Sequence, residues 1–195
     1  MKIHNAISNK KILIYGLGKS GISSFNFLKK KNSCCIFDDN RKVIKKNYNK
    51  YYISKLKLLK IKFDYIIISP GININNCTLS TYLKKNSKLI ITELDIFYKF
   101  FPKIFTITIT GTNGKSTTCK LLYEILLKHG IDARLTGNIG NPLLKEKKIS
   151  RKTIFIVEAS SYQLAYSKFF KSNISLILNI SIDHLERHLT LRSYI

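Results

Sequence analysis

The sequence predicts an α/β protein with two parallel sheets, one in each half of the chain. Short apolar runs rich in β-branched residues alternate with segments of helical periodicity, the pattern of parallel sheets covered by helices. Each half opens with such a run followed at once by a glycine-rich loop, at residues 16–21 and 111–117. With 195 residues, 45% of them hydrophobic, the chain can form one large domain or two small ones.

The first half alternates strands and helices in order along the chain. Its predicted elements are a strand at 11–15, a helix over 22–31, strands at 34–37 and 65–69, a helix near 79–85 and a strand at 88–92. Residues 41–62 are rich in Lys and Arg and contain no acidic residue, which predicts a solvated surface that is irregular or partly helical.

The alternation stops at residues 100–103, where Pro102 predicts a boundary between domains of residues 1–101 and 102–195. The second half then repeats the scheme. Its predicted elements are a strand at 104–110, a helix from 115 to 129 ended by Gly130, and strands at 153–158 and 175–180.

The first glycine loop has the spacing of a dinucleotide fingerprint. Gly16-x-Gly18-x-x-Gly21 follows a strand and opens a helix, and Asp38 stands about 20 residues further on at the end of the next strand. Such glycines let a diphosphate approach backbone N–H groups at a helix N-terminus, while the acid accepts hydrogen bonds from a ribose or base. The pattern predicts a Rossmann-like domain but leaves NAD, FAD and UDP-sugars open, as well as a glycine turn without a ligand.

The second glycine loop predicts an ATP site in a P-loop-type domain. Lys115 and Ser116 occupy the Gly-Lys-[Ser/Thr] positions, where the ammonium group neutralises phosphates and the hydroxyl binds Mg²⁺. The general pattern has glycine where Ile109 stands, so the loop is a shorter variant. The predicted ATP-binding residues are Gly111, Thr112, Asn113, Gly114, Lys115, Ser116 and Thr117.

Two further clusters follow strands of the second half. Glu158 ends a strand, the position of a carboxylate that holds Mg²⁺ directly or through water; an exposed strand-end glutamate is the alternative. His184 and His188 are four residues apart, but Glu186 lies one place too late for a zinc-protease motif. A surface or capping role is therefore the alternative for this histidine pair.

Composition argues against several classes of protein. The net charge of +23 comes from 34 basic residues, of which 29 are Lys and 5 are Arg, whereas Arg is the better reader of phosphates and bases. Nucleic-acid binding is therefore not predicted as the main role. No apolar run reaches the roughly 18–20 residues of a membrane span, and no signal-peptide core is present. A cytoplasmic monomer without membrane attachment is expected.

Together the motifs resemble the Mur ligase family of peptidoglycan synthesis. The resemblance is carried by Gly16-Leu-Gly-Lys-Ser-Gly21, Ser69-Pro-Gly-Ile72, Thr92-Glu-Leu-Asp-Ile-Phe97, Thr110-Gly-Thr-Asn-Gly-Lys-Ser-Thr117, Gly137-Asn-Ile-Gly140, Glu158-Ala-Ser-Ser-Tyr-Gln-Leu164, and Asn179 with Asp183-His-Leu-Glu-Arg-His188. The ATP loop is shared with folylpolyglutamate ligases. The Glu-x-Ser-Ser-x-Gln-Leu and Ser-Pro-Gly-Ile elements favour the branch that adds D-glutamate.

The resemblance implies an ATP-dependent ligase that transfers a phosphoryl group to the carboxylate of UDP-N-acetylmuramoyl-L-alanine. The amine of D-glutamate then attacks the acyl phosphate. By the same resemblance Lys115, Glu158 and His184 are catalytic, Ser116 and Glu158 hold one Mg²⁺, and His184 holds a second. The implied substrate-binding residues are Gly18, Lys19, Ser20, Asp38, Pro70 and Gly71 for the UDP, and Asn138, Ser160 and Gln163 for the muramoyl-alanine end.

The resemblance also implies parts of the enzyme beyond Ile195: a carbamylated lysine, the rest of the ATP-binding domain and a third domain. The chain is thus expected to be an N-terminal fragment, a truncated gene product or the product of a decaying gene, which binds the UDP-substrate weakly and does not ligate. The alternatives are a nucleotide-binding protein without ligase activity, a nicotinamide-dependent oxidoreductase or a basic nucleic-acid-binding module.

Overall fold

The computed structural model describes residues 7–181 and residue 190 and has the predicted α/β architecture. Its regular elements are β1 (Lys11–Tyr15), α1 (Lys19–Leu28), β2 (Ser33–Phe37), α2 (Lys55–Leu58), β3 (Tyr65–Ile68), α3 (Ser80–Lys85), β4 (Ile90–Ile91), α4 (Glu93–Phe100), β5 (Phe105–Thr110), α5 (Lys115–Lys128), β6 (Ala133–Gly137), β7 (Ile154–Glu158), α6 (Ser161–Tyr166) and β8 (Ile174–Ile177). Residues 41–62 contain two 3₁₀ turns and the short helix α2, in agreement with the prediction of a partly helical surface.

The first sheet is parallel and has the strand order β2-β1-β3-β4. Ile12, Leu13 and Ile14 are fully buried, because the central strand β1 is covered on both faces. β1 lies between β2 and β3, so the loops that follow β1 and β3 meet at one edge of the sheet. Ligands of open α/β sheets bind at such a point, where the strand order reverses.

The second sheet is also parallel and has the order β6-β7-β5-β8. β5 is central, and its buried Ile109 pairs with Glu158 of β7 and Leu176 of β8. Ile109, at the position of the missing Walker glycine, therefore belongs to the strand, and the loop starts after Thr110. The carboxyl end of β7 is placed beside the second glycine loop.

An apolar cluster joins the two sheets through α4. The rings of Phe97 in α4 and Phe155 in β7 lie 4.7 Å apart, and those of Phe27 in α1 and Phe100 lie 4.9 Å apart. The division into domains at residue 101 stays a prediction. The structure contains two separate sheets whose facing sides share one core.

Several predicted elements differ in position from the structure. α1 begins at Lys19, three residues before the predicted start, and includes Gly21 of the glycine motif. β4 has only two residues, because a 3₁₀ turn takes up residues 87–89. The elements α4, β6 and α6 were not predicted, since they are short and their burial depends on contacts with the other sheet or its loops.

Candidate functional site

The first glycine loop is held by close backbone contacts. Gly16 has a φ of +90°, and its carbonyl accepts a 2.7 Å hydrogen bond from the Ser69 hydroxyl of the neighbouring loop. A Cβ on Gly21 would lie 1.9 Å from the Gly16 carbonyl oxygen. Gly18 has ordinary helical-start geometry and open space around it. Gly16 and Gly21 thus allow the loop to pack closely, whereas Gly18 leaves the solvent side of the loop open.

The Asp38 carboxylate fixes the same loop from the next strand. Its Oδ2 accepts a 2.7 Å hydrogen bond from the Leu17 N–H, and its Oδ1 accepts one of 2.9 Å from the Asn40 N–H. The side chain therefore supports the loop and also borders the open space in front of it.

That space is a cleft of about 460 Å³, named here the loop cleft, between the loops of the two sheets. Nearly all the predicted substrate-binding residues line it, from both halves of the chain: Gly18, Lys19, Ser20, Asp38, Pro70, Gly71, Asn138 and Gln163. The exception is Ser160, which caps α6. Its N–H and hydroxyl both donate to Gln163 Oε1, at 2.9 and 3.1 Å, so Ser160 orients Gln163 toward its place in the cleft wall.

The second glycine loop joins β5 to α5, with positive φ angles of +139° at Gly111 and +82° at Gly114. The Lys115 ammonium donates 2.7 Å hydrogen bonds to the carbonyls of Gly111 and Thr112 and so lies across the mouth of its own loop. The residues predicted to bind ATP form this one continuous turn at the helix N-terminus, the geometry that favours anions.

Asn179 clamps this loop from the segment after β8. Its backbone carbonyl accepts from the Thr112 N–H at 3.0 Å, and its side chain both accepts from and donates to the Asn113 backbone, at 2.9 and 3.1 Å. Asn179 belongs to the motifs that carry the family resemblance, which implied no role for it. The predicted strand of residues 175–180 contained Asn179, but β8 ends at Ile177, so Asn179 lies in the following segment, which the parallel pairing of β5 with β8 brings to the loop.

Glu158 connects the second glycine loop to the wall of the loop cleft. Its Oε2 accepts a 2.7 Å hydrogen bond from the Ser116 hydroxyl, and its Oε1 accepts one of 2.9 Å from the Asn138 side-chain amide. Asn138 lines the loop cleft, whereas Ser116 belongs to the second glycine loop. The carboxylate is only 1% exposed. The approach of Asn138 depends on Gly137, where a Cβ would lie 2.3 Å from the Glu158 carbonyl oxygen.

The oxygen atoms of Ser116 and Glu158 suit a hard divalent cation. A hydroxyl and a carboxylate are oxygen ligands of the type that Mg²⁺ prefers. Within residues 7–181 no lysine or arginine forms an ion pair with Glu158, so its charge has only neutral hydrogen-bond donors as partners. The same region holds no cluster of three or more His, Cys, Asp or Glu side chains suited to a metal. His184, with Asp183 and His188, lies outside the described residues.

Two titratable groups near these loops have raised pKa values. Burial, with the nearby charge of Glu158 as a second cause, raises the pKa of the Cys119 thiol to about 12, so the thiol stays protonated. Burial also raises the pKa of Glu93 to about 7, against the opposing hydrogen bonds of the Ser20 hydroxyl and the Leu144 N–H. Glu93 thus lies behind the first glycine loop as a carboxyl group that changes charge near neutrality.

No helix within residues 7–181 is long and apolar enough to cross a membrane.

Comparison with known proteins gives two family matches. Residues 10–91 match the Mur ligase MurD-like N-terminal domain, and residues 109–195 match the Mur ligase middle domain.

Curated relatives agree with these matches. A UDP-N-acetylmuramoylalanine–D-glutamate ligase of Caldicellulosiruptor bescii is 38% identical over 96% of this chain and 43% of its own length. One of Rickettsia felis is 36% identical over 98% of this chain and 43% of its own length. The chain therefore spans less than half the length of these relatives.

A solved structure shares the fold at low identity. The UDP-N-acetylmuramate:L-alanyl-gamma-D-glutamyl-meso-diaminopimelate ligase from Neisseria meningitides superposes with a TM-score of 0.56 and 16% identity, over 96% of this chain and 65% of that one. This likeness concerns the fold; the two domain matches, which together span most of the chain, place it in the Mur ligase family, as a MurD-like N-terminal domain followed by middle-domain sequence.

Proposed function

We propose that this chain provides the UDP-substrate site and the ATP loop of a cytoplasmic ligase that joins D-glutamate to UDP-N-acetylmuramoyl-L-alanine. The relatives described above are ligases of this substrate, and Mur ligases are ATP-dependent, usually with Mg²⁺. The observation that carries the proposal is the hydrogen-bonded chain Ser116–Glu158–Asn138, which links the ATP loop to the loop cleft.

The loop cleft suits a nucleotide diphosphate with a sugar attached. The diphosphate binds at the N-terminus of α1, where Gly18 and Ser20 offer backbone N–H groups and Lys19 a positive charge. The uridine lies toward Asp38 and the turn at Pro70 and Gly71. The muramoyl-alanine end then extends toward a second group of residues on the other wall: Asn138, Gln163 and its orienting neighbour Ser160.

The ATP phosphates bind in the turn of residues 111–117. Lys115 leaves the loop carbonyls to neutralise the β- and γ-phosphates, because a phosphate competes strongly for an ammonium group. Ser116 and Glu158 would hold one Mg²⁺, and the resemblance assigns His184 to a second; the ions would reduce the repulsion between the γ-phosphate and the substrate carboxylate.

The chemistry proceeds by two displacements. An oxygen of the substrate carboxylate attacks the γ-phosphorus, and ADP leaves with the electron pair of the broken P–O bond. The amine of D-glutamate then attacks the acyl carbon, loses a proton and expels inorganic phosphate. In both steps Lys115 offsets negative charge on the phosphoryl group. Asn138 and Gln163 keep the muramoyl-alanine end beside the ATP loop.

Binding of the two nucleotides to the whole chain tests the proposal. Isothermal titration with UDP-N-acetylmuramoyl-L-alanine and with MgADP should show two independent sites. Lys115→Ala should weaken MgADP by about tenfold or more while leaving the UDP-substrate unaffected. Lys120→Ala, which removes an exposed ammonium from the same helix, should change neither.

Two results would contradict the proposal. Tight NADH binding that UDP does not displace would indicate an oxidoreductase. RNA or DNA affinity that falls steeply with salt and depends on the lysines of residues 41–62 would indicate a nucleic-acid-binding module.

A further inference from the structure

A second and larger cavity adjoins the loop cleft. It has a volume of about 880 Å³ and lies between α1 and residues 140–149; it is named here the α1 cavity. This volume lies within the range of about 300–1,000 Å³ that is typical of small-molecule sites. The two spaces share part of one wall, at Lys19, Gly140 and Pro142.

Apolar side chains from α1, from Phe101 and from the segment of residues 140–149 line the floor of the α1 cavity. Phe25 and Leu28 are buried in the core, as expected for a helix that covers a sheet. On its cavity side α1 presents Lys19, Ser23 and Asn26, and the apolar side chains of Ile22 and Phe27 lie on either side of them at the edge of the core. The apolar part of the lining therefore comes from Ile22, Phe27 and Phe101 together with Leu144 and Ile149 of the segment opposite α1.

The mouth of the α1 cavity is strongly cationic. Four lysines line it, three of them exposed on the segment after β6: Lys19, Lys145, Lys147 and Lys148. Within residues 7–181 none of the four forms an ion pair with an acidic side chain.

One acidic residue, Glu146, is also part of the lining, but its charge is already compensated. Its Oε2 lies 3.3 Å from Arg134 Nε, and its Oε1 accepts a 2.8 Å hydrogen bond from the Asn141 side chain. The field at the mouth is therefore set by the lysines.

We infer that the α1 cavity binds one molecule of a single-chain amphiphile with a terminal anionic group. The apolar chain packs on Ile22, Phe27 and Phe101, and the anionic head lies among the lysine ammonium groups. The apolar surface lines a concavity, which favours one inserted chain over contact with a flat bilayer. Because Lys19 borders both spaces, the bound head group also reduces the positive charge that the loop cleft offers to a diphosphate.

The whole chain can be tested with dodecyl phosphate below its micellar concentration, by isothermal titration. We expect saturable binding of one molecule per chain. Lys147→Glu with Lys148→Glu should weaken it by about tenfold or more, since two attractions become repulsions. The matched control, Lys57→Glu with Lys60→Glu, makes the same change in net charge on exposed residues outside the cavity and should alter affinity by less than about twofold.

The floor is tested by Ile149→Ser, a half-buried cavity residue, with its thermal melting curve compared with that of the wild type. A folded variant with weakened dodecyl phosphate binding supports the inference, and unchanged binding contradicts it. Should this variant unfold, shortening the ligand asks the same question: butyl phosphate must bind much more weakly than dodecyl phosphate.

Other results would overturn the inference. If uncharged dodecyl maltoside bound as tightly as dodecyl phosphate, the negative charge of the head group would have no role. If the cavity variant and the control variant lost equal affinity, the effect would come from the net charge of the protein and not from the cavity. Binding to phosphatidylglycerol vesicles without binding of the monomer would assign the surface to membranes. Lys115→Ala should leave dodecyl phosphate binding intact, which separates this inference from the proposed ligase function.

Discussion

The hydroxyl of Ser116 donates a 2.7 Å hydrogen bond to the buried carboxylate of Glu158, although 42 residues separate them in the chain. The parallel pairing of β5 with β7 places the end of one strand beside the loop that follows the other. The Ser116 hydroxyl oxygen and the Glu158 carboxylate are thereby held together. Among the residues that the structure describes, only neutral groups donate hydrogen bonds to this carboxylate, so its negative charge can attract a cation.

Replacing this hydroxyl should reduce the contribution of Mg²⁺ to nucleotide binding. We expect Ser116→Ala to lower the gain in ADP affinity on adding Mg²⁺ by about tenfold, or about 1.4 kcal/mol. Affinity without Mg²⁺ should change little. Titration calorimetry with and without the ion measures both quantities. Ser116→Thr keeps a hydroxyl and should behave as the wild type; an equal loss in Ser116→Thr would count against the metal role.

The glycines of the first loop should respond differently to alanine. Alanine normally stabilises a helix relative to glycine by about 1 kcal/mol. At Gly21 the new Cβ would lie 1.9 Å from the Gly16 carbonyl oxygen, and overpacking of this kind costs about 1–3 kcal/mol or more. Gly21→Ala should therefore lower the free energy of unfolding in urea.

Gly18→Ala is the matched control. Gly18 has open space around it and a φ of −67°, so an added Cβ meets no clash. The unfolding free energy of the Gly18→Ala protein should therefore stay within about 0.5 kcal/mol of the wild type. A Gly21→Ala protein as stable as the wild type would show that α1 does not need to pack so closely on the loop.

Asp95 joins the connecting helix α4 to the segment after α6. Its Oδ1 accepts hydrogen bonds from the Ser167 hydroxyl and from the N–H groups of Lys168, Phe169 and Phe170, at 2.6–3.0 Å. Its Oδ2 accepts the backbone N–H of Thr92 at 2.9 Å. The side chain is fully buried.

Asp95→Asn should destabilise the fold, because an amide cannot place acceptors toward both sets of donors. Hydrogen bonds to charged groups contribute about 1.5–3 kcal/mol each, so we expect a loss of at least about 2–4 kcal/mol in urea unfolding. Glu124→Gln, which neutralises an exposed acid on α5, should have almost no effect. Similar losses in the two variants would indicate a general charge effect in place of the buried hydrogen bonds.

Glu93 should make stability depend on pH. Because its pKa rises from 4.5 to about 7 on folding, the folded state binds more protons than the unfolded state between these values. The contribution of Glu93 to stability is therefore fully present below about pH 4.5 and is lost as the pH rises through about 7, by about 3 kcal/mol in all.

Glu93→Gln stays neutral at every pH and should remove this decline. The measurement is the unfolding free energy of both proteins from pH 5 to 8, where their difference isolates Glu93 from other titrating groups. A constant difference across this range would mean that Glu93 titrates near its ordinary pKa.

Local sequence determined the class of fold, because strand and helix periodicities and the glycine loops depend on residues close together in the chain. The strands β1, β3 and β5 and the helix α5 were predicted within about one residue. The short elements α4 and β6 were missed, since few residues carry their pattern and much of their apolar surface is satisfied by distant parts of the fold.

The sequence by itself determined which residues carry charge and hydroxyl groups at the two loops, and hence that both loops suit phosphates. Tertiary structure decided how they meet: the register of parallel strands brings Glu158 to Ser116, and the absence of a side chain at Gly137 brings Asn138 to Glu158. It also decided that Ile22 and Phe27 of α1 line a cavity bordered by lysines. These relations join residues separated by tens of positions, so packing between elements fixes them and local propensity does not.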